Sequence, residues 1–319
     1  MRRIGVLSSG GDTPGMNAAI RAVVKTATHL NMEVMGIEYG FRGLIQGRIR
    51  QLTPENVEKI IYKGGTILKT CRCPEFQTEE GQLQAVKVCE AFDIEGIVVI
   101  GGDGSMRGAG ALSARGVNTV TLPGTIDNDL AYTDFTIGFD TAVNGVIEEM
   151  NKVNDTMVSH DRIGVVEVMG RNCGDIALYS AMAAGANFLM IPEAPFDLDQ
   201  ICAELVKRRL KGQFSSMIVV AEGAASASDV AAYIREKTGY DTKATVLGHT
   251  QRGGNPSQSD RILASRLAEA AVRLLYKGVS NRVVGLRSNQ VVDMDIEEAL
   301  KCKKELDVNI YKLCQILAE

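Results

Sequence analysis

The chain has 319 residues, 45% of them apolar and 23% charged, with a net charge of −4. That is the profile of a soluble globular protein of about two domains, each with room for its own core. The acidic balance argues against nucleic acid as the main partner, and no stretch approaches the ~18 continuous apolar residues of a membrane helix.

The chain opens with Met1-Arg2-Arg3 and runs straight into the strand-like segment Ile4–Leu7, too short an apolar run for a signal peptide. Strands are then predicted over Glu33–Ile37, Ile97–Ile100, Thr119–Leu122, Ile163–Val168, Leu189–Ile191, Met217–Ala221 and Val283–Leu286. Several are unbroken apolar runs, such as Ile97-Val98-Val99-Ile100, as expected of strands buried on both faces of a parallel sheet. Helical periodicity marks Met16–His29, Ala142–Asn154 and Asp260–Tyr276. Strand–loop–helix repetition implies right-handed βαβ units and doubly wound α/β sheets. Pro192-Glu193-Ala194-Pro195-Phe196 is local punctuation; no long linker, repeat or charge block separates the two expected domains. The seven cysteines (71, 73, 89, 173, 202, 302, 314) are odd in number and scattered. They argue against a disulfide framework or zinc site and for a reduced, cytoplasmic protein.

Glycine is the compositional outlier, with 33 residues against only 7 prolines, about 10% where ~7% is usual. The glycines cluster after strands: Ser8-Ser9-Gly10-Gly11-Asp12-Thr13-Pro14-Gly15, Gly101-Gly102-Asp103-Gly104-Ser105, Pro123-Gly124-Thr125-Ile126-Asp127-Asn128-Asp129 and Met169-Gly170-Arg171-Asn172-Cys173-Gly174. Ligands of open α/β sheets bind at the carboxyl ends of strands, so these loops are expected to face one cleft or two adjoining ones.

The first loop has P-loop glycine spacing, Gly10 to Gly15, but Met16-Asn17 stands where Lys-Ser/Thr would meet phosphates and magnesium. A Walker NTPase is disfavoured, although the backbone and the following helix dipole still suit a phosphate. The GGDGS loop lacks the third glycine of a dinucleotide fingerprint, since Arg107 stands there and Gly108 comes one position late; this speaks against a nicotinamide oxidoreductase. Glycine N–H groups beside Asp103 suit a magnesium–polyphosphate, unless Asp103 is only a helix N-cap. Asp127 and Asp129, read as an extended segment, project the same way and can divide the roles of base and metal orientation; a pair of Asx-turns is the structural alternative. Arg162, Arg171 and Arg252, with His249 in Gly248-His249-Thr250-Gln251-Arg252, suit a phosphomonoester. Glu222, after an apolar strand, can accept from sugar hydroxyls or serve as a salt-bridged strand end. Together these parts read as phosphoryl transfer from a nucleotide to a phosphorylated hydroxyl compound.

The ordered set SSGGDTPGMNA, IGGDGS, PGTIDND, VMGRNCG, VAEG and LGHTQRGG closely resembles the bacterial ATP-dependent 6-phosphofructokinase family, over about residues 1 to 315. The resemblance implies two αβα-sandwich domains, residues 1–138 plus 251–305 for the nucleotide and 139–250 plus 306–319 for the sugar phosphate. It makes Asp127 the base at the sugar 1-hydroxyl and gives Asp103 and Asp129 to magnesium and its waters. Thr125, Arg171 and the Gly11 N–H would meet the transferring phosphate, with Arg72 bridging the substrates. Gly11, Cys73, Gly102, Gly104, Ser105 and Gly108 would line the ATP site. Met169, Gly170, Glu222, His249 and Arg252 would hold fructose 6-phosphate, and Arg162 and Lys243 would reach its 6-phosphate from a neighbouring subunit of a homotetramer.

Diphosphate-using relatives carry an aspartate at position 104 and a lysine at 124. Glycine at both favours ATP over a diphosphate-dependent enzyme, and the retained Asp103 and Asp127 speak against a non-catalytic sensor on the same fold. Two departures lie at the active site: Lys243 replaces the usual arginine, keeping the charge but losing the fork, and Phe41 replaces a common tyrosine. The effector site departs further. Arg21 remains, Lys25 is a conservative exchange and Gly185 belongs to the same set, but Asn154 and Gln213 replace cations, Asn187 replaces a glutamate, Lys59 stands where an aspartate is common and Lys211 where an arginine or another basic group is common. Allosteric control by ADP or phosphoenolpyruvate is therefore expected to be blunted or altered.

Overall fold

The computed structural model describes residues 1–318. The chain forms two compact units, one comprising Met1–Ile126, Leu130–Thr141 and Arg252–Lys304, the other Asp127–Asp129, Ala142–Gln251 and Glu305–Glu319. The tripeptide 127–129, placed with the first domain by the sequence, groups by its contacts with the second unit.

Eleven strands are described: β1 (Arg3–Ser8), β2 (Glu33–Ile37), β3 (Ile49–Leu52), β4 (Gly96–Gly101), β5 (Asn118–Pro123), β6 (Ile163–Val168), β7 (Phe188–Met190), β8 (Ser216–Ala221), β9 (Thr242–Val246), β10 (Arg282–Arg287) and β11 (Gln290–Asp295). The first unit holds a seven-stranded sheet in the order β11-β10-β5-β4-β1-β2-β3. Its interior pairs are parallel, and its two edge pairs, β10 with β11 and β2 with β3, are antiparallel. Alternate side chains of a strand point to opposite faces. Ile4, Val6, Val98, Ile100, Val120 and Leu122 accordingly pack with apolar residues of the helices Met16–His29 and Gln258–Tyr276. Leu7, Ile97 and Val99 pack with residues of Gly40–Gln46, Glu79–Ala91 and Asp103–Ser113.

The second unit holds a four-stranded, fully parallel sheet, β7-β8-β6-β9. Ile163, Val165, Ile218 and Val220 form its core with side chains of the helices Leu198–Leu210 and Ala227–Thr238.

The strands the sequence marked are all present, with Leu189–Ile191 displaced by one residue to Phe188–Met190. The three it did not mark, β3, β9 and β11, are all sheet edges, half open to water. An edge strand needs no continuous apolar run and is commonly charged, so pattern alone does not reveal it.

Candidate active site

The first unit gathers three glycine loops at the carboxyl ends of β1, β4 and β5. Ser9 N–H donates to the Ile100 carbonyl at 2.9 Å, and Gly124 N–H to the Gly101 carbonyl at 3.0 Å, so the three loops are laced together by backbone. A Cβ on Gly101 would lie 2.5 Å from the Ser9 carbonyl oxygen, an approach that only glycine permits. Gly15, at φ 107, caps the helix Met16–His29 without a side chain. Gly11 lies against Arg252, whose Nη1 an added Cβ would meet at 2.5 Å, and the same nitrogen donates to the Asp12 carbonyl at 3.3 Å. Arg252, read from sequence with the sugar-phosphate set, therefore stands beside Gly11 within the first unit.

The segment before Arg72 is pinned to the first loop. Thr70 Oγ1 donates to the Gly10 carbonyl at 2.8 Å, and Ser8 Oγ donates to the Lys69 carbonyl at 3.0 Å. Arg72 is exposed, and its carbonyl accepts from Arg42. Gly102, in an extended conformation, is the N-cap of the helix Asp103–Ser113. Asp103 is thus the first helical residue, not the cap considered as its structural alternative. Its half-exposed carboxylate accepts from Arg107 Nε and Nη2 at 3.1 and 3.2 Å. Ser105 is buried in the same turn. Around Gly104 there is open space, whereas a Cβ on Gly108 would meet the Phe41 ring at 2.7 Å. Phe41 and Phe76 stack with centroids 4.2 Å apart. Cys73, part-buried at the start of a short turn, has its thiol pushed up by desolvation. Thr125 accepts at its carbonyl from Thr136 Oγ1 at 2.6 Å.

The second unit carries the acid tripeptide and most of the cations. Asp127 and Asn128 are buried, and Asn128 takes φ 52. The strand-like alternation expected across 127–129 is therefore replaced by a left-handed turn. Arg171 Nε lies 3.6 Å from Asp127 Oδ2, and Arg171 itself takes φ 54, a conformation uncommon away from glycine. Its N–H donates to Glu222 Oε1 at 2.9 Å. Glu222 is thus tied to the MGRNCG loop, which also explains its place at a strand end. The two loops lie in contact because position 223 has no side chain: a Cβ there would be 1.9 Å from the Arg171 carbonyl oxygen. Gly170 adopts φ 135 after Met169. Gln251, not singled out from the sequence, accepts from Met169 N–H at 3.1 Å and donates to the Gly248 carbonyl at 2.9 Å. It stitches the GHTQRGG turn, with its exposed His249, to the MGRNCG loop.

Arg162 and Lys243 come together on one carboxylate. β6 and β9 pair in register Ile163↔Thr242, which sets residue 162 beside residue 241. Asp241 accepts from Arg162 Nε at 2.6 Å and from Lys243 Nζ at 2.8 Å. The lysine, then the arginine, hold its carboxyl below the usual range.

The expected effector residues divide between the units, with Arg21, Lys25 and Lys59 on the first and Asn154, Gly185, Asn187, Lys211 and Gln213 on the second. Asn187 is committed structurally. Its Oδ1 accepts from Met217 N–H at 3.0 Å while its own N–H donates to the Met217 carbonyl at 2.9 Å.

Glycine loops gathered at strand ends within the first unit and, within the second, a buried acid beside an arginine are each features that phosphotransferases use. The phosphofructokinase family model matches residues 3–275, and the chain belongs to that family. It is 54% identical over 319 residues to an ATP-dependent 6-phosphofructokinase of Clostridium botulinum, and 55% identical over 318 residues to that of Clostridium tetani, with full coverage of both sequences in each case. Among solved structures, Saccharomyces cerevisiae phosphofructokinase matches at 34% identity and a TM-score of 0.90; the match covers all of this chain and 48% of the yeast chain. The pyrophosphate-dependent enzyme of Marinobacter aquaeolei shares the fold, at 21% identity and a TM-score of 0.87 over 97% of this chain and 86% of its own.

Proposed function

We infer that this chain transfers the γ-phosphoryl group of ATP to the 1-hydroxyl of D-fructose 6-phosphate, giving fructose 1,6-bisphosphate and ADP. The observation that carries this is its full-length identity to ATP-dependent 6-phosphofructokinases. Phosphoryl transfer asks little covalent work of a protein; it asks for positioning and charge. The Asp127 carboxylate takes the proton of the attacking hydroxyl, and help of that kind is worth roughly 10²–10⁴-fold. Arg171, Thr125 and the Gly11 N–H neutralise charge on the phosphoryl oxygens, and Arg72 bridges the two substrates. Gly102, Gly104, Ser105, Gly108 and Cys73 line the nucleotide. Met169, Gly170, Glu222, His249 and Arg252 hold the sugar phosphate. Arg162 and Lys243 bind the 6-phosphate of a neighbouring subunit's substrate in a homotetramer. The odd number and scattered spacing of the cysteines support a cytoplasmic location.

The chain's chemistry suits magnesium. Among the described residues no cluster of three His, Cys, Asp or Glu side chains could hold a metal ion alone. Magnesium on a nucleotide needs only one or two carboxylates, with phosphates and water completing its shell. The half-exposed Asp103 carboxylate, beside the glycine N–H groups, fits that role, and Asp129 is the second acid we assign. When bound, the ion screens the charge of the β- and γ-phosphates.

ATP is favoured as donor by two glycines. The open space at Gly104 leaves room for an α-phosphate, and Gly124 is closed in, since a Cβ there would lie 3.0 Å from Ile100 Cγ2 and 3.2 Å from Gly101 N. A coupled assay with fructose 6-phosphate, magnesium and either ATP, GTP or diphosphate tests the reading. Turnover with ATP and none with diphosphate is expected; turnover with diphosphate alone refutes it.

A further inference from the structure

The buried turn that carries Asp127 is held by residues outside every substrate-binding role assigned above. Asn128, between the two acids, sits at φ 52. A left-handed conformation is disfavoured for an L-residue, least so for Asn and Asp. Such a residue persists only where its surroundings over-determine it. Here they do. Asn128 Nδ2 donates to Asp175 Oδ2 at 2.7 Å, with the two side chains buried to within a few per cent of their surface. Cys173 Sγ lies 3.9 Å from the Asn128 carbonyl oxygen.

Asp175 is itself held firmly. It is the first residue of the helix Asp175–Ala184, capped by Gly174, where the helix dipole favours a carboxylate. Gly174 N–H donates to Glu193 Oε1 at 2.7 Å. Gly174 also has no room for a side chain, because a Cβ would lie 2.6 Å from Ile191 Cβ and 2.7 Å from Glu193 Oε2. A rigid helix start thus grips the residue covalently flanked by Asp127 and Asp129.

We infer that Asp175 is a positioning residue for phosphoryl transfer, fixing the Asp127 carboxylate through its hydrogen bond to Asn128. The inference rests on the reading of Asp127 as base. Rotation of the peptide at Asn128 swings both neighbouring carboxylates, and a displacement of about 1 Å at a reacting group can cost on the order of 10²-fold in rate.

The test measures kcat and both KM values for Asp175→Ala and Asp175→Asn, each made in the wild-type and the Asp127→Ser background. If Asp175 acts through Asp127, Asp175→Ala lowers kcat by roughly 10²-fold in the wild-type background, leaves both KM values unchanged, and costs little further where Asp127 is already gone. Asp175→Asn, which keeps an acceptor oxygen toward Asn128, retains most of kcat. Should Asp175→Ala fail to fold, Asn128→Gly removes the amide while keeping φ > 0 accessible, and lowers kcat at unchanged KM. Wild-type kcat in Asp175→Ala or Asn128→Gly, or an equal loss in both backgrounds, overturns the inference. Near-normal turnover of Asp127→Ser removes the base assignment itself, and the inference with it.

Discussion

Replacing Asp260 by Asn tests the buried acid that ties the helix Gln258–Tyr276 to the chain following the third glycine loop. Asp260 is 1% exposed. Its Oδ1 accepts from Gly138 N–H at 2.7 Å, and its Oδ2 from Thr141 N–H at 2.8 Å and from Thr141 Oγ1. In either orientation of an asparagine amide, an NH2 group faces a backbone N–H. One buried donor then goes unsatisfied, at about 1–3 kcal/mol, while relief from burying a charge offsets part of the loss. A net loss of about 2 kcal/mol at neutral pH follows, roughly a thirty-fold shift in the folding equilibrium, read as a lower urea midpoint at constant m-value. The pH dependence has a definite sign. Burial is the main influence on the Asp260 carboxyl and raises it above its ordinary value, near ~3.9 in the unfolded chain. The folded state then holds the proton to higher pH than the unfolded state. The stability linked to it is complete below the unfolded value and is lost as pH rises through the raised folded value. Asn carries no such proton, so the advantage of Asp over Asn is largest at the acid end and narrows as pH rises. Equal midpoints at pH 7, or a gap that widens with pH, refute this reasoning.

Lys243→Arg restores a planar fork beside Arg162 on the shared Asp241 carboxylate and is expected to lower KM for fructose 6-phosphate several-fold at unchanged kcat, measured by steady-state kinetics. A Cβ at Gly104 meets open space, so Gly104→Asp is expected to retain thermal stability. A carboxylate held near a nucleotide phosphate at an effective dielectric of ~20 costs a few kcal/mol, and KM for ATP should rise by well over ~10-fold. A fructose 6-phosphate saturation curve with and without phosphoenolpyruvate should change little, because Asn187 is bonded to the Met217 backbone and cations are absent at 154 and 213; strong inhibition relieved by ADP contradicts this.

The features legible in the sequence are those written locally. Ile97-Val98-Val99-Ile100 is a strand because four consecutive apolar residues need burial on both faces, and β4 is fully buried. Helix Met16–His29 begins and ends where its periodicity predicts. The glycine loops stand out because close backbone approach excludes a Cβ, as at Gly101 and Gly223. Edge strands β3, β9 and β11 leave no such mark, since one side of each is free of a neighbouring strand and tolerates charge.

The residue types of the chemistry, and the family they indicate, were decided by the order of short motifs along the chain. The positioning was not. Asn128 reads as a spacer between two acids until a carboxylate 47 positions later is found on its amide. Asp241 and Gln251 read as ordinary polar residues until strand register and loop contact bring Arg162, Lys243 and Met169 onto them. Glycine and apolar runs report demands that act within a few residues, where sequence and space coincide. A hydrogen bond between segments dozens of residues apart depends on how the chain orders its strands and helices, so only the tertiary structure shows that the carboxylate of Asp175 meets the amide of Asn128.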